Sequence, residues 1–344
     1  MRLVRLLCLL LAVSAATVLW PAAASADLLL PPRGKVFHGG TGGYTGGQID
    51  AFGRRSGRAP AVYQFFFTPP WRTAVERDLN WEENLLAVAA SRGARPMFHL
   101  STARGGSGGS VVTPGQIARG AGDRYLLALN AMLARFGQPA YLRVMAEMNN
   151  FNNPYSAFGG SGRARSRGHS TRSFRAAWRR IALIVRGGEV AGIDRRLGRM
   201  GLPGIATPAT ELPRPRVALM WVPFCAGLPH RRGNGPGAYW PGGRYVDWVG
   251  TDFFANSPNF PCLGRFYRDR RWRSKPFVFG EWALWGREDP RFVRRLYRWV
   301  ASHRRARMVV YNQGALLKPL LALRPRSARE LRRQQLRSRR YSAR

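Results

Sequence analysis

The stretch KPFVFGEWALWG (residues 275–286) packs valine, phenylalanine and tryptophan around a single carboxylate, Glu281, and stops at Gly286. An apolar run rich in β-branched and aromatic residues, closed by a glycine, reads as a parallel strand buried on both faces. Its last residues would then reach a loop. Seven more stretches share the pattern: KVFHG from Lys35, APAVYQFFFT from Ala59, ARPMFHLST from Ala94, PAYLRVMAEM from Pro139, RVALMWVPF from Arg216, VDWVGTDFF from Val246 and RMVVYNQG from Arg307. Amphipathic helical stretches stand between them, among them WEENLLAVAASRG, AGDRYLLALNAMLARFG, SFRAAWRRIALIVRGG and DPRFVRRLYRWVASHRR. They have apolar residues three and four apart, and glycine often marks the stop. Eight alternating units predict an α/β fold, a single-domain (β/α)8 barrel. An open doubly wound sheet would want a Gly-x-Gly-x-x-Gly turn between the first strand and helix. GGTGGYTGG (39–47) lacks that context and reads as a flexible rim.

The ends of the chain differ from this body. Residues 1–26 join Arg2 and Arg5 to an apolar run, Pro21, and an Ala24-Ser25-Ala26 ending, the pattern of a cleaved signal peptide. The expected location is therefore secreted and extracellular, with the barrel over 27–320 and a basic tail, a frayed helix, over 321–344. Two cysteines remain after cleavage, Cys225 and Cys262, and an even pair in an exported chain reads as one disulfide.

Against 56 Lys and Arg stand only 18 Asp and Glu, a formal charge of +38. Such a field would attract polyanions, an anionic cell-surface polymer among them. No helix-turn-helix, finger or ribonucleoprotein pattern points to nucleic acid, and no apolar run after the first is long enough to span a membrane. The five histidines are dispersed and no Gly-x-Ser-x-Gly elbow is present, so neither a metal site nor a serine hydrolase is expected. The expectation is a monomer without metal or cofactor.

In so acid-poor a chain the carboxylates carry information. Glu147 ends the fourth strand, Asp252 lies near the end of the sixth, and Glu281 ends the seventh. These ends form the face on which such barrels carry their active sites. Two carboxylates about 5 to 5.5 Å apart can hydrolyse a glycosidic bond with retention. Trp240, Trp248, Trp282 and Trp285 could offer stacking faces for sugar rings, although Trp248, and about half of the others, read as core. His99 could supply an imidazole to the site, and His38 is a weaker candidate.

The segment IARGAGDRYLLALNAMLARFGQPAYLRVMAEMNN (117–150) resembles the part of glycoside hydrolase family 26, the β-mannanases, that leads into its Arg-x-x-His-Glu-Met-Asn motif. YWPGGRYVDWVGTDFF (239–254) and KPFVFGEWA (275–283) resemble that family's sixth and seventh strands. The resemblance implies Glu147 as acid/base and Glu281 as nucleophile. It implies a polysaccharide substrate, with Arg143 a support within the fourth strand and Asp252 a polar residue of the sixth; the candidate substrate-binding residues are then Arg143, His99, Asp252, Trp282, Trp285, Asn149 and Tyr311. The chain departs from the pattern at Ala146, where the family has histidine, and at Phe254, where it commonly has a tyrosine bonded to the nucleophile. A catalytically inactive carbohydrate-binding barrel is therefore the alternative.

Overall fold

A computed structural model of the chain describes residues 29–72, 79–104, 109–314 and 321–343. The expected signal segment, 1–26, lies outside the described residues, as does most of the GGSGGS loop.

Eight parallel strands close into a barrel in sequence order: β1 (Phe37–Thr41), β2 (Val62–Phe67), β3 (Arg95–Leu100), β4 (Ala140–Val144), β5 (Val217–Trp221), β6 (Trp248–Phe254), β7 (Phe277–Ala283) and β8 (Ala306–Asn312). The β1–β8 pairing, with Phe37 opposite Met308, completes the ring. The fold is a (β/α)8 barrel, as the alternation predicts. Inward side chains such as Phe37, Met97, Tyr141, Met220, Trp248 and Met308 fill the lumen, while the outward set packs beneath the helices in a second, larger core. Below the lumen, the carbonyl of Leu29 accepts hydrogen bonds from Tyr141 Oη (2.6 Å) and Arg95 Nη1 (3.1 Å), which seals the end opposite the site.

Among the described residues the α-helices are α1 (Gly46–Ser56), α2 (Asn80–Ala90), α3 (Pro114–Ala118), α4 (Asp123–Phe136), α5 (Thr171–Arg186), α6 (Val190–Gly198), α7 (Phe260–Arg268), α8 (Pro290–Ser302) and α9 (Pro325–Arg337). Between β5 and β6 stand two 3-10 turns, Pro236–Tyr239 and Gly243–Tyr245. They are fastened to α5 by bonds from Trp178 Nε1 to the Tyr245 carbonyl and from Arg179 Nε to that of Pro241.

Three segments differ from their sequence reading. GGTGGYTGG is not a loose rim, because its first residues belong to β1 and Thr45 opens α1 with a capping box completed by Gln48. A Cβ on Gly40 would come within 2.5 Å of the Phe52 ring, so glycine there lets α1 seat on the strand. NSPNFPCLGRF, expected as loop, is largely helix α7: Asn259 caps it, and Pro261 is tolerated in a first turn where no backbone donor is needed. The basic end, expected as a frayed tail, is helix α9 packed on α1 and α8. Its Gln335 is buried, with Nε2 bonded to Tyr297 Oη (2.6 Å) and to His38 Nδ1 (3.0 Å). Cys225 and Cys262 form a disulfide, Cα–Cα 5.8 Å, that ties the loop after β5 to the start of α7.

Candidate active site

Strand period places Tyr141 and Arg143 of β4 inside the barrel. The chain then turns sharply, because Met145 (φ 40°) and Glu147 (φ 52°) adopt left-handed backbone that side chains rarely take. Glu147 is thus three residues beyond β4, on a strained turn held by its amide bond to the Val222 carbonyl (2.7 Å). Strain of this kind persists only where the surroundings fix it.

On β7 strict alternation from Phe277 would send Glu281 outward, with Phe279. The register against both neighbours slips there: Phe279 pairs with Thr251 and Val309, yet Trp282 pairs with Phe253 and Tyr311. β7 carries one extra residue, a bulge at Gly280–Glu281, and the bulge re-aims the carboxylate into the mouth. Gly280 is required for a second reason. A Cβ there would lie 2.9 Å from Arg143 Nε and 3.0 Å from Asp252 Oδ1.

These elements converge on Arg143. Buried between two strands, its Nη1 donates to Glu281 Oε1 and its Nη2 to Asp252 Oδ2. The other oxygen of Glu281, Oε2, accepts from Asn312 Nδ2 at 2.6 Å, so both oxygens of Glu281, 7 % exposed, are engaged. Although burial opposes it, the charges of Asp252 and Glu281 raise the Arg143 pKa and keep it a cation. On the other wall, Glu147 Oε2 accepts from Asn150 Nδ2 (2.9 Å) and Asn153 Nδ2 (3.5 Å).

Three carboxylates face one guanidinium, and like charges in a dry site cannot all ionise easily. Burial first, and then the charge of Glu281, raises the Glu147 pKa. Burial, and the charges of Glu281 and Glu147 working against Arg143, raise that of Asp252 well above the usual range. The cluster therefore retains a proton between Asp252 and Glu147 above the ordinary carboxylate range. A carboxyl that holds its proton opposite a carboxylate fixed by two donors can give a proton to one side of a bond while the other attacks.

The remaining candidates divide. His99 lies opposite Arg143 in the β3–β4 register and is partly exposed, with Nε2 3.5 Å from Tyr155 Oη. Burial, with help from Arg143, lowers its pKa well below the usual value, so the ring is neutral. Asn149 is buried and brackets the Phe224 backbone, accepting from its amide and donating to its carbonyl at 2.9 Å each. It ties the turn that carries Glu147 to the loop after β5, and its side-chain polar atoms are taken up by those two bonds. Trp282 and Tyr311 are corrected: both are fully buried, packed on each other (centroids 4.7 Å apart) outside the barrel wall, where the bulge that turns Glu281 inward turns Trp282 outward. Trp240 packs with Trp221 and Trp272, and Trp248 fills the lumen. Trp285 alone of the four tryptophans is exposed, at 40 %. It stands edge-on to Phe254, which meets Phe224, making an aromatic wall at the mouth. His38 is a core histidine bonded to Ser56 and Gln335, and burial, then Arg58, lowers its pKa to about 3.

Sequence reading passed over Asn150, Asn153 and Asn312. The first two were visible as the asparagine-rich NNFNNP after Glu147; Asn312 sits one residue past the Tyr311 that reading chose.

Comparison with solved structures follows the same geometry. The Bacillus subtilis mannanase BCman aligns over 88% of this chain and 87% of its own, with 16% identity and a TM-score of 0.54. GH26A of a Muricauda species aligns over 92% of each chain at 14% identity and the same TM-score of 0.54. The fold is that of the family 26 glycoside hydrolases. A family 5 glycoside hydrolase of Prevotella bryantii, at 10% identity and a TM-score of 0.52, shares the barrel as well. No protein-family model and no curated protein matches the sequence. Among the described residues no cluster has the composition of a metal site, and no helix is long and apolar enough to cross a membrane.

Proposed function

We propose that the protein is a retaining glycoside hydrolase acting on a polysaccharide, with Glu281 as nucleophile and Glu147 as acid/base. The observation that supports this most is the unequal treatment of the two glutamates. Glu281 is gripped at both oxygens by Arg143 and Asn312, whereas Glu147 keeps a raised pKa beside Asp252. In this reading Glu281 Oε attacks the anomeric carbon as Glu147 protonates the departing glycosidic oxygen. Glu147, now a carboxylate, takes a proton from water, which attacks the same carbon and frees Glu281. Asp252, whose own pKa is raised, is the neighbour that can hold a proton beside that transient carboxylate. Phe224, Phe254 and Trp285 provide ring faces for the sugar.

The family resemblance makes β-mannan one substrate to try, and the disulfide supports an oxidising, extracellular setting. The inactive-barrel reading draws on Phe254, which has no hydroxyl to offer the nucleophile. Asn312 answers it, since it supplies that oxygen with a donor from β8. The test is reducing-end release from a panel of neutral and acidic polysaccharides by the purified protein. Release that disappears in both Glu147→Ala and Glu281→Ala supports the hydrolase. Tight glycan binding without release by the unmodified protein would establish the inactive barrel instead.

A further inference from the structure

Two loops build the acid/base side of the mouth, and neither contains a carboxylate. From Met148 to Gly188, and from Val222 to Val246, the sequence has no Asp or Glu, although the chain has 18. The same loops carry Arg163, Arg165, Arg167, Arg231 and Arg232, all exposed. None of the five has an ion-pair partner among the described residues.

The loops meet directly beyond Glu147. The Phe151 amide donates to the Leu228 carbonyl (2.8 Å), and the Leu228 amide to that of Asn149 (2.8 Å). The first loop continues from Asn150, whose side chain holds Glu147. Arg165 Nη2 donates to the Phe151 carbonyl at 2.5 Å, which fixes one guanidinium a few residues from the acid/base. Arg231 stacks over the Phe158 ring, 4.6 Å from its centroid, joining the second loop's cations to the first. Some arginines elsewhere do have acids: Glu330 pairs with Arg294 and Arg333, and Asp123 with Arg180. Guanidinium groups left without internal anions suit carboxylate or sulfate groups on a ligand, and two of the five are held in place, Arg165 by backbone and Arg231 by a ring. The aromatic wall, which begins at Phe224 of the second loop, suits sugar rings.

We infer that the loops after β4 and β5 form subsites for an acidic polysaccharide, its anionic groups held by Arg163, Arg231 and Arg232 while its sugar rings lie along the cleft. The inference rests on the hydrolase reading for the direction of the chain, and binding tests it separately from cleavage. The probe is Glu281→Gln protein, titrated with a polyuronate, a sulfated glycan, neutral β-mannan and polyglutamate. The joint rim variant Arg163→Gln, Arg231→Gln, Arg232→Gln is compared with an equal change of charge on the far helices, Arg298→Gln, Arg329→Gln, Arg337→Gln. Polyuronate or sulfated glycan should bind at least about tenfold more tightly than mannan, and the rim variant should lose about tenfold or more while the far variant loses little. Which acidic glycan responds names the anionic group. Equal losses in both variants would reduce the effect to overall charge, and polyglutamate bound as well as the glycans would remove the sugar from it; either overturns the inference. Cleavage of an acidic glycan indifferent to the rim variant would overturn it and leave the hydrolase standing. Rim-dependent glycan binding with no cleavage by the unmodified protein would do the reverse.

Discussion

At Glu147 the chemistry and the stability of the fold pull in opposite directions. Burial and the charge of Glu281 raise its pKa, so the folded protein binds this proton more tightly than the unfolded chain does. A raised carboxyl contributes most to stability below its unfolded pKa, and the contribution is lost as pH rises through the folded value. Glu147→Gln removes that loss. Thermal melts should show this variant level with or above the parent at neutral pH, with a gap that widens as pH rises, while hydrolysis falls about 10²- to 10⁴-fold. A variant that melts lower at every pH would show that the Glu147 charge is not strained by its site. The parent's activity should decline on the alkaline side as Glu147 gives up its proton. Asn312 carries a different expectation, since it touches Glu281 at only one oxygen. Asn312→Ala should leave the melting temperature within a few degrees and lower kcat by up to about 100-fold, with KM little changed, because it misplaces the nucleophile without touching ligand. Glu147 and Glu281 were legible because carboxylates are rare in this chain and each follows a strand. The asparagines were not, since a donor that acts across a barrel mouth leaves no spacing signal.

Among the elements, β7 shows how a local irregularity makes the site. An apolar run identifies a strand, but only the slip in register against β6 and β8 sends Glu281 inward and Trp282 outward. Sequence reading placed both at the mouth, but Trp282 is buried outside the barrel wall, because period alone cannot locate a bulge. Gly280 is the residue on which the arrangement turns. In Gly280→Ala the new methyl would meet Arg143, Val222 and Asp252 inside 3.0 Å or at it. Overpacking of this kind costs about 1–3 kcal/mol. The variant should therefore melt lower and lose nearly all activity, as urea titration and rate assays would show together; full activity would mean that the cluster does not depend on its packing. The eight strands were readable because parallel strands are apolar on both faces. Helices α7 and α9 were hidden, one behind Pro261 and the other behind its arginines, whose few apolar residues leave the buried stripe of α9 to Ser327, Glu330, Leu331 and Gln335.

For the molecule as a whole, α9 is the closing piece. It covers β1 and α8, with Gln335 inside and Tyr341 against Tyr297 (centroids 5.1 Å apart). A chain cut after residue 320 would expose His38, Tyr297 and their surroundings, and it should fail to fold as judged by circular dichroism and gel filtration. A truncated chain with the parent's melting transition would return this segment to the role of a tail. The charge of +38 was plain in the composition, but its distribution was not: two of 18 carboxylates pair with one arginine at the mouth, and the loops beside them have none. The proposed double displacement is tested most directly by trapping its intermediate. The protein would be incubated with activated 2-deoxy-2-fluoro glycosides of several sugars, and the adduct located by peptide mass mapping. The account predicts one sugar bound covalently to Glu281, and none in Glu281→Gln. An adduct on another residue, or release of sugar with inverted configuration at the anomeric carbon, would contradict it.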